Sequence, residues 1–166
     1  MSGLEGNDLL RGGDGRDTLN GGDGNDILIG DQKIDILNGG AGDDKIEYDN
    51  FDAVINGGIG LDTLYIAGGG ITLDITHNNS SKITGVEKID LTGTGNNALI
   101  LDYNDMLALS NTGDVLYVTG NGGDTVTLTG EIFMGSQTVN GIIYNTYNIG
   151  GTSSPDIWVQ EAVRVI

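Results

Sequence analysis

The 166-residue chain has no cysteine, one histidine, and seven lysines and arginines against 24 aspartates and glutamates, a formal net charge of −17. Without cysteine, disulfides, iron–sulfur clusters and thiolate zinc sites are excluded. Basic residues are too scarce for nucleic acid or an anionic membrane surface, both of which call for basic patches. Cations remain as the natural partner. No apolar run approaches the roughly 18 residues that a membrane-spanning helix needs. Residues 1–5 (MSGLE) have neither the basic region nor the apolar stretch of an N-terminal signal peptide. Catalytic signatures are lacking too: there is no HExxH and no GxSxG. His77, in the polar stretch THNNSS, reads as an exposed loop residue, and Asp102 and Asp105 read as helix-capping residues rather than paired catalytic carboxylates. The chain reads as non-catalytic.

What the chain has is glycine and aspartate, set in a period. Residues 12–29, GGDGRDTLNGGDGNDILI, are two nonapeptides end to end. Frames starting at Gly3, Gly12, Gly21, Gly30, Gly39, Tyr48 and Gly57 keep one nine-residue register without a slip. Their sixth position reads Asp8, Asp17, Asp26, Asp35, Asp44, Ala53 and Asp62. Their eighth reads Leu10, Leu19, Leu28, Leu37, Ile46, Ile55 and Leu64. Short units that cannot fold singly are built to stack. Each unit divides into a six-residue glycine turn and a three-residue strand with one inward aliphatic side chain. Position nine is mostly polar (Arg11, Asn20, Asn38, Glu47, Asn56), as an outward face should be.

Stacking such turns sets aspartate above aspartate, and residues 1–65 hold 14 acids and four bases. Unscreened carboxylates repel, so the stack calls for a hard cation between turns. Carboxylate and carbonyl oxygens, with no sulfur or imidazole, select Ca²⁺ over zinc or copper. A flexible acidic linker would have no reason to keep an aliphatic residue at every ninth position.

The units at Gly12, Gly21, Gly39 and Gly57 match GGxGxDxUx in full, and in this the chain resembles the RTX (repeats-in-toxin) nonapeptide family. The resemblance covers about 65 residues. It implies an all-β fold, a calcium-stacked parallel β-roll (β-solenoid) with two nonapeptides per coil. It also implies ions between turns two repeats apart, ligated by carbonyls at positions two and four and the aspartate of the earlier turn. The later turn gives the carbonyls at positions one and three and its own aspartate. Carried onto this chain, one ion lies among Leu4, Gly6, Asp8, Gly21, Asp23 and Asp26. A second lies among Gly22, Gly24, Asp26, Gly39, Ala41 and Asp44, and a third among Gly40, Gly42, Asp44, Gly57, Ile59 and Asp62. On the opposite edge Gly13, Gly15, Asp17, Gly30, Gln32 and Asp35 hold a fourth. The turn at Tyr48 has neither turn glycines nor a sixth-position aspartate, and the frame at Ile66 offers Ile71 there. The expectation is about four calcium ions, unequally shared between two edges. Gly12 and Asp14 present a half-site toward a coil before residue 1, which suggests a longer repeat array.

From Gly68 onward acids thin out, and β-branched and aromatic residues gather in short runs such as ITLDIT, VLYVTG and TVTLTG. These predict strands of a β-rich capping module over residues 67–166, after a β-roll over 1–66, with one short helix at 102–109 (DYNDMLAL). TGTGNNALI and TGNGGDTVT look like worn nonapeptides, so the coil is expected to continue without ions. A solenoid needs an end cap, and Phe133, Tyr144, Tyr147 and Trp158 are the expected cap material. ITGVEKIDLTGTGNNALIL, LYVTGNGGDTVTL and the terminal DIWVQEAVRVI resemble the C-terminal module of large RTX adhesins exported by type I secretion. That resemblance implies an uncleaved C-terminal secretion signal read by an ABC-transporter complex, and an extracellular or bacterial cell-surface location. It implies no membrane insertion and a monomeric module. The alternatives are a surface-, glycan- or ice-binding solenoid, or the C-terminal part of an RTX enzyme whose catalytic domain lies outside this chain. The asparagines at 20, 38 and 56 form a short ladder that reads as structural.

Overall fold

The computed structural model describes residues 1–76, 82–110, 115–149 and 156–166; His77 lies outside them. The chain winds through parallel strands whose register follows the nine-residue period. On one side β1 (Ser2–Glu5), β3 (Thr18–Asp23), β5 (Ile36–Ala41), β7 (Val54–Ile59) and β10 (Ile83–Thr84) form a five-stranded sheet. On the other, β2 (Leu9–Arg11), β4 (Ile27–Ile29), β6 (Lys45–Glu47) and β8 (Thr63–Tyr65) stack in parallel. Leu10 pairs with Leu28, and Leu19 with Leu37, so one coil is 18 residues, or two nonapeptides. The eighth-position side chains all point inward: Leu19, Leu28, Leu37, Ile46 and Leu64 have no exposed surface. This is the all-β, parallel β-roll that the RTX resemblance implies.

The coil continues past residue 66 but widens. β11 (Lys88–Asp90), β13 (Leu116–Thr119) and β17 (Ile157–Gln160) extend the second sheet, with Leu64 opposite Ile89, Ile89 opposite Val118, and Val118 opposite Val159. A third parallel sheet is added from β9 (Thr72–Asp74), β12 (Ala98–Leu101), β14 (Thr125–Leu128) and β18 (Arg164–Val165). The worn nonapeptides lie here, with Leu99 between Leu73 and Val126. One hydrophobic cluster runs from Leu10 to Val163 through all three sheets.

Each sheet ends differently. Helix α1 (Tyr103–Leu109) finishes beside β10, where the Val86 N–H donates to the Leu109 carbonyl at 2.9 Å. Its start is a capping box: the Asp102 carboxylate accepts from the Asn104 and Asp105 N–H groups, and the Asp105 carboxylate accepts from the Asp102 N–H. The second sheet ends in an antiparallel hairpin of β15 (Ile132–Val139) and β16 (Ile142–Asn148), with β16 pairing β17. Asn140 and Gly141 both have positive φ, 51° and 81°, as a two-residue I′ turn requires. Tyr144 is buried at 7 % exposure and packs edge-on against Tyr117. Phe133, expected inside the cap, is instead 58 % exposed and stacks on Tyr147 at 5.5 Å. A hairpin strand at a sheet edge has only one neighbour to bury its side chains against.

Because the inner ladder is fully buried, Leu37→Ala in the calcium-loaded protein is expected to cost about 2–5 kcal/mol in denaturant unfolding. Leu107→Ala, on the exposed face of α1, should stay within about 0.5 kcal/mol.

Candidate metal centre

The sixth-position aspartates stack coil upon coil and share one hydrogen-bonding scheme. The Asp8 N–H donates to Asp26 Oδ1 at 2.7 Å, Asp26 N–H to Asp44 Oδ1 at 2.7 Å, and Asp44 N–H to Asp62 Oδ1 at 2.8 Å. On the opposite edge the Asp17 N–H donates to Asp35 Oδ1 at 2.8 Å. Asp26, Asp35, Asp44 and Asp62 therefore each spend one oxygen on holding the preceding coil. The other oxygen, Oδ2 of Asp8, Asp17, Asp26, Asp35, Asp44 and Asp62, is buried without a hydrogen-bond partner.

A buried ionised oxygen with no partner is among the costliest groups a fold can carry. With coils about 4.8 Å apart, neighbouring carboxylates repel by roughly 3 kcal/mol at an effective dielectric of about 20. A cation beside these oxygens would let them stay ionised, and the turns leave a cradle for one. A Cβ on Gly3 would lie 2.5 Å from Asp8 Oδ2 and 2.7 Å from the Gly21 carbonyl oxygen. One on Gly21 would meet Asp26 Oδ2 and the Gly39 carbonyl, and one on Gly39 would meet Asp44 Oδ2 and the Gly57 carbonyl. On the other edge, a Cβ on Gly12 would stand 2.9 Å from both Asp17 Oδ2 and the Gly30 carbonyl oxygen. The carbonyls of Leu4 and Gly6 likewise fill the space beside Gly22 and Gly24, those of Gly22 and Gly24 beside Gly40 and Gly42, and those of Gly40 and Gly42 beside Gly58 and Gly60. Among the described residues no three acidic or imidazole side chains converge on one point. The donor set is thus a pair of carboxylates and several carbonyl oxygens, which suits a hard, oxygen-seeking cation.

Positions two and four of each turn take left-handed backbone: Gly22 and Gly24 at φ 121° and 128°, Gly40 and Gly42 at 122° and 130°. Glycine does this without steric cost. The third-position carbonyls behave differently from the rest. Those of Asp23, Ala41 and Ile59 already accept from the N–H groups of Gly6, Gly24 and Gly42 at 2.7–2.8 Å, because β3, β5 and β7 run on through the turn. On the opposite edge the strands stop at three residues and Gln32 borders an open groove with Arg11 and Asp31. The two edges are therefore unequal in backbone order.

The RTX calcium-binding nonapeptide repeat family matches this region twice, over residues 2–32 and 20–54, in four copies. Residues 2–54 carry that family's repeat. No curated protein and no solved structure matches. RTX repeats bind calcium and form β-rolls, so the cradles of residues 2–54 lie in a calcium-binding repeat. Among the described residues no helix is long and apolar enough to cross a membrane.

Sequence reasoning missed the end of the first stack. Glu87 sits opposite Asp62 in register, since Lys88 pairs with Thr63, and its Oε2 accepts from the Asp62 N–H at 3.0 Å. Its other oxygen accepts from the Ser110 hydroxyl at 3.3 Å. The repeated tail acid–x–aliphatic, Glu87-Lys88-Ile89 after Asp62-Thr63-Leu64, was the available signal. In the third sheet Asn97 takes the aspartate's place. Its Oδ1 accepts from the Ile71 N–H at 3.0 Å, while its amide nitrogen donates to the Gly68 and Leu91 carbonyls at 3.2 and 3.0 Å. An amide N–H there does for the turn carbonyls what a cation does elsewhere.

Burial raises the Asp44 carboxyl to about 6 and those of Asp52 and Asp62 to about 7, with neighbouring carboxylates adding to the shift. An unfolded aspartate ionises near pH ~3.9, so between that pH and about 7 the cation-free folded chain holds protons that the unfolded chain has lost. Its stability therefore falls as pH rises through this window. In chelator, denaturant midpoints are expected to be higher at pH 5 than at pH 7.5, and saturating calcium should abolish the difference; a midpoint that rises with pH in chelator would contradict this.

The cradle can also be blocked. Gly39→Ala is expected to lower calcium stoichiometry in calorimetry, because its Cβ would occupy the space between Asp44 Oδ2 and the Gly57 carbonyl. Gly122→Ala, where nothing lies within 4 Å, should bind calcium as the parent does.

Proposed function

We propose that residues 1–66 are a calcium-dependent folding module and residues 67–166 its cap, together forming the non-catalytic C-terminal part of an extracellular RTX adhesin. The observation that carries the reading is the file of buried aspartate oxygens without a hydrogen-bond partner, those of Asp8, Asp17, Asp26, Asp44 and Asp62 lying beside a carbonyl of the next coil. In this reading Leu4, Gly6, Asp8, Gly21, Asp23 and Asp26 hold one ion. The corresponding sets from Gly22 to Asp44 and from Gly40 to Asp62 hold two more, and Gly13, Gly15, Asp17, Gly30, Gln32 and Asp35 hold a fourth. Bound calcium supplies positive charge that lets these carboxylates stay ionised when buried.

The chain's own residues make that binding and folding one equilibrium, since the cradle exists only when successive coils are stacked. Extracellular calcium modules bind with dissociation constants on the order of 10⁻⁴–10⁻³ M. At cytosolic calcium the acidic coils stay extended and can be threaded through a type I secretion complex that reads the C-terminal region. Outside, mass action stabilises the folded form at every site, and folding at the exit opposes return.

The test is a calcium titration of the full chain followed by far-UV circular dichroism, with magnesium as control and calorimetry for stoichiometry. A cooperative, calcium-specific gain of β signal with about four or more ions supports the reading, and Asp26→Asn, which belongs to two sites, should cost more ions than Asp17→Asn, which belongs to one. Full β signal in chelator, unchanged by calcium, would sink it.

A further inference from the structure

Resting on the reading that the aspartate stacks hold calcium, we infer that the chain binds a further cation where the nonapeptide pattern breaks, between the turn Gly30–Asp35 and the loop Tyr48–Asp52, with Asp35 and Asp52 as its carboxylate ligands. In the four sites above, the free Oδ2 is supplied by the earlier aspartate of each pair: Asp8, Asp26, Asp44 and Asp17. The later aspartate uses Oδ1 to accept an N–H. Asp35 Oδ2, Asp52 Oδ1 and Asp62 Oδ2 are then left over. Asp62 stands at the end of its stack beside the Gly85 carbonyl. Asp35 and Asp52 come from adjacent coils at one height: the Ala53 N–H donates to the Asp35 carbonyl at 2.8 Å.

Both side chains are almost fully buried, Asp35 at 0 % and Asp52 at 5 % exposure. Ala53 occupies the sixth position of this frame, and Asp52 takes over from the fifth. The loop turns on itself to present it: the Asp49 N–H donates to Asp52 Oδ2 at 3.3 Å and the Asp52 N–H to the Asp49 carbonyl at 3.2 Å, leaving Oδ1 free. On the side away from Asp35, Asp52 also lines, with Asp49 and Asn50, a partly open cavity of about 30 Å³, enough for one water-sized occupant. Lys82 is the basic side chain on that wall.

The turn on the other side keeps the cradle conformation at a steric cost. Its second and fourth positions are Asp31 and Lys33, yet they hold φ 65° and 117°, the left-handed region that glycine takes in the intact turns. A lysine there is strained by about 1–3 kcal/mol, and such strain persists only where the surroundings enforce it. Arg11 grips the Asp31 carboxylate with two hydrogen bonds of 2.5 and 2.6 Å, bracing the same turn. The carbonyls of Asp31 and Lys33 stand at the positions whose counterparts line the regular cradles.

The experiment compares full-length parent, Asp52→Asn and Asp26→Asn by calcium calorimetry. Asp52→Asn is expected to bind one ion fewer per chain while the first stack still fills. An unchanged ion count in Asp52→Asn, with calcium binding intact in the parent, overturns this site and leaves the proposed function standing. If the parent binds no calcium, both fail. Should Asp52→Asn not fold, F51W decides the matter, with Phe51 exposed in the same loop. Terbium titrated into F51W should give sensitised emission above that of the parent, whose own tryptophan is Trp158; no increment overturns the site.

Discussion

The structure depends on one unusual group: a buried aspartate oxygen with no hydrogen-bond partner, repeated at each coil of the first 62 residues. Its partner oxygen, accepting an N–H from the coil before, ties successive coils together at 2.7–2.8 Å. The same side chain is therefore both the rung that orders the stack and the charge that opposes it. Which effect wins is decided by what sits beside Oδ2. With a cation, both oxygens are satisfied and the acidic coil is stable. Without one, the carboxyls of Asp44 and Asp62 take up protons or the coils separate.

The widened coils beyond residue 66 keep the rung and remove the charge problem. Asn97 replaces a carboxylate by an amide whose nitrogen reaches two turn carbonyls, and its N–H is held by Asp124 Oδ1 at 2.8 Å. Asp124 in turn gives its second oxygen to the Asn121 N–H at 2.7 Å. Glu87 closes the first stack by passing its spare oxygen to Ser110. Among the described residues, the partnerless buried side-chain atoms are carboxylate oxygens between Asp8 and Asp62, with the Trp158 indole N–H the exception. The partnerless carboxylate oxygens are thus confined to one end of a continuous core.

Much of this was legible in the sequence because the period is local. The nine-residue register fixes the 18-residue coil, the inward Leu and Ile file, and the turn positions, and Asp102 with Asp105 marks the helix start. Along the asparagine ladder Asn38 donates to Asn20 at 2.9 Å, and the Thr84 hydroxyl donates to Asn56 at 3.3 Å. What escaped was whatever left the register. Asp52 is buried one position early in its frame, and Glu87 follows a coil of 25 residues, from Leu64 to Ile89. The hairpin that closes the second sheet is an insertion between coils, so no period announced which of its aromatic residues would be buried.

The account is tested most directly by amide hydrogen exchange of the full chain with and without calcium, read strand by strand. In chelator, β1–β8 should exchange as open chain while β11–β14 remain protected, and calcium should restore protection to the first group alone. Equal protection of β1–β8 in chelator would mean that buried aspartate oxygens need no cation, and the central claim would be wrong.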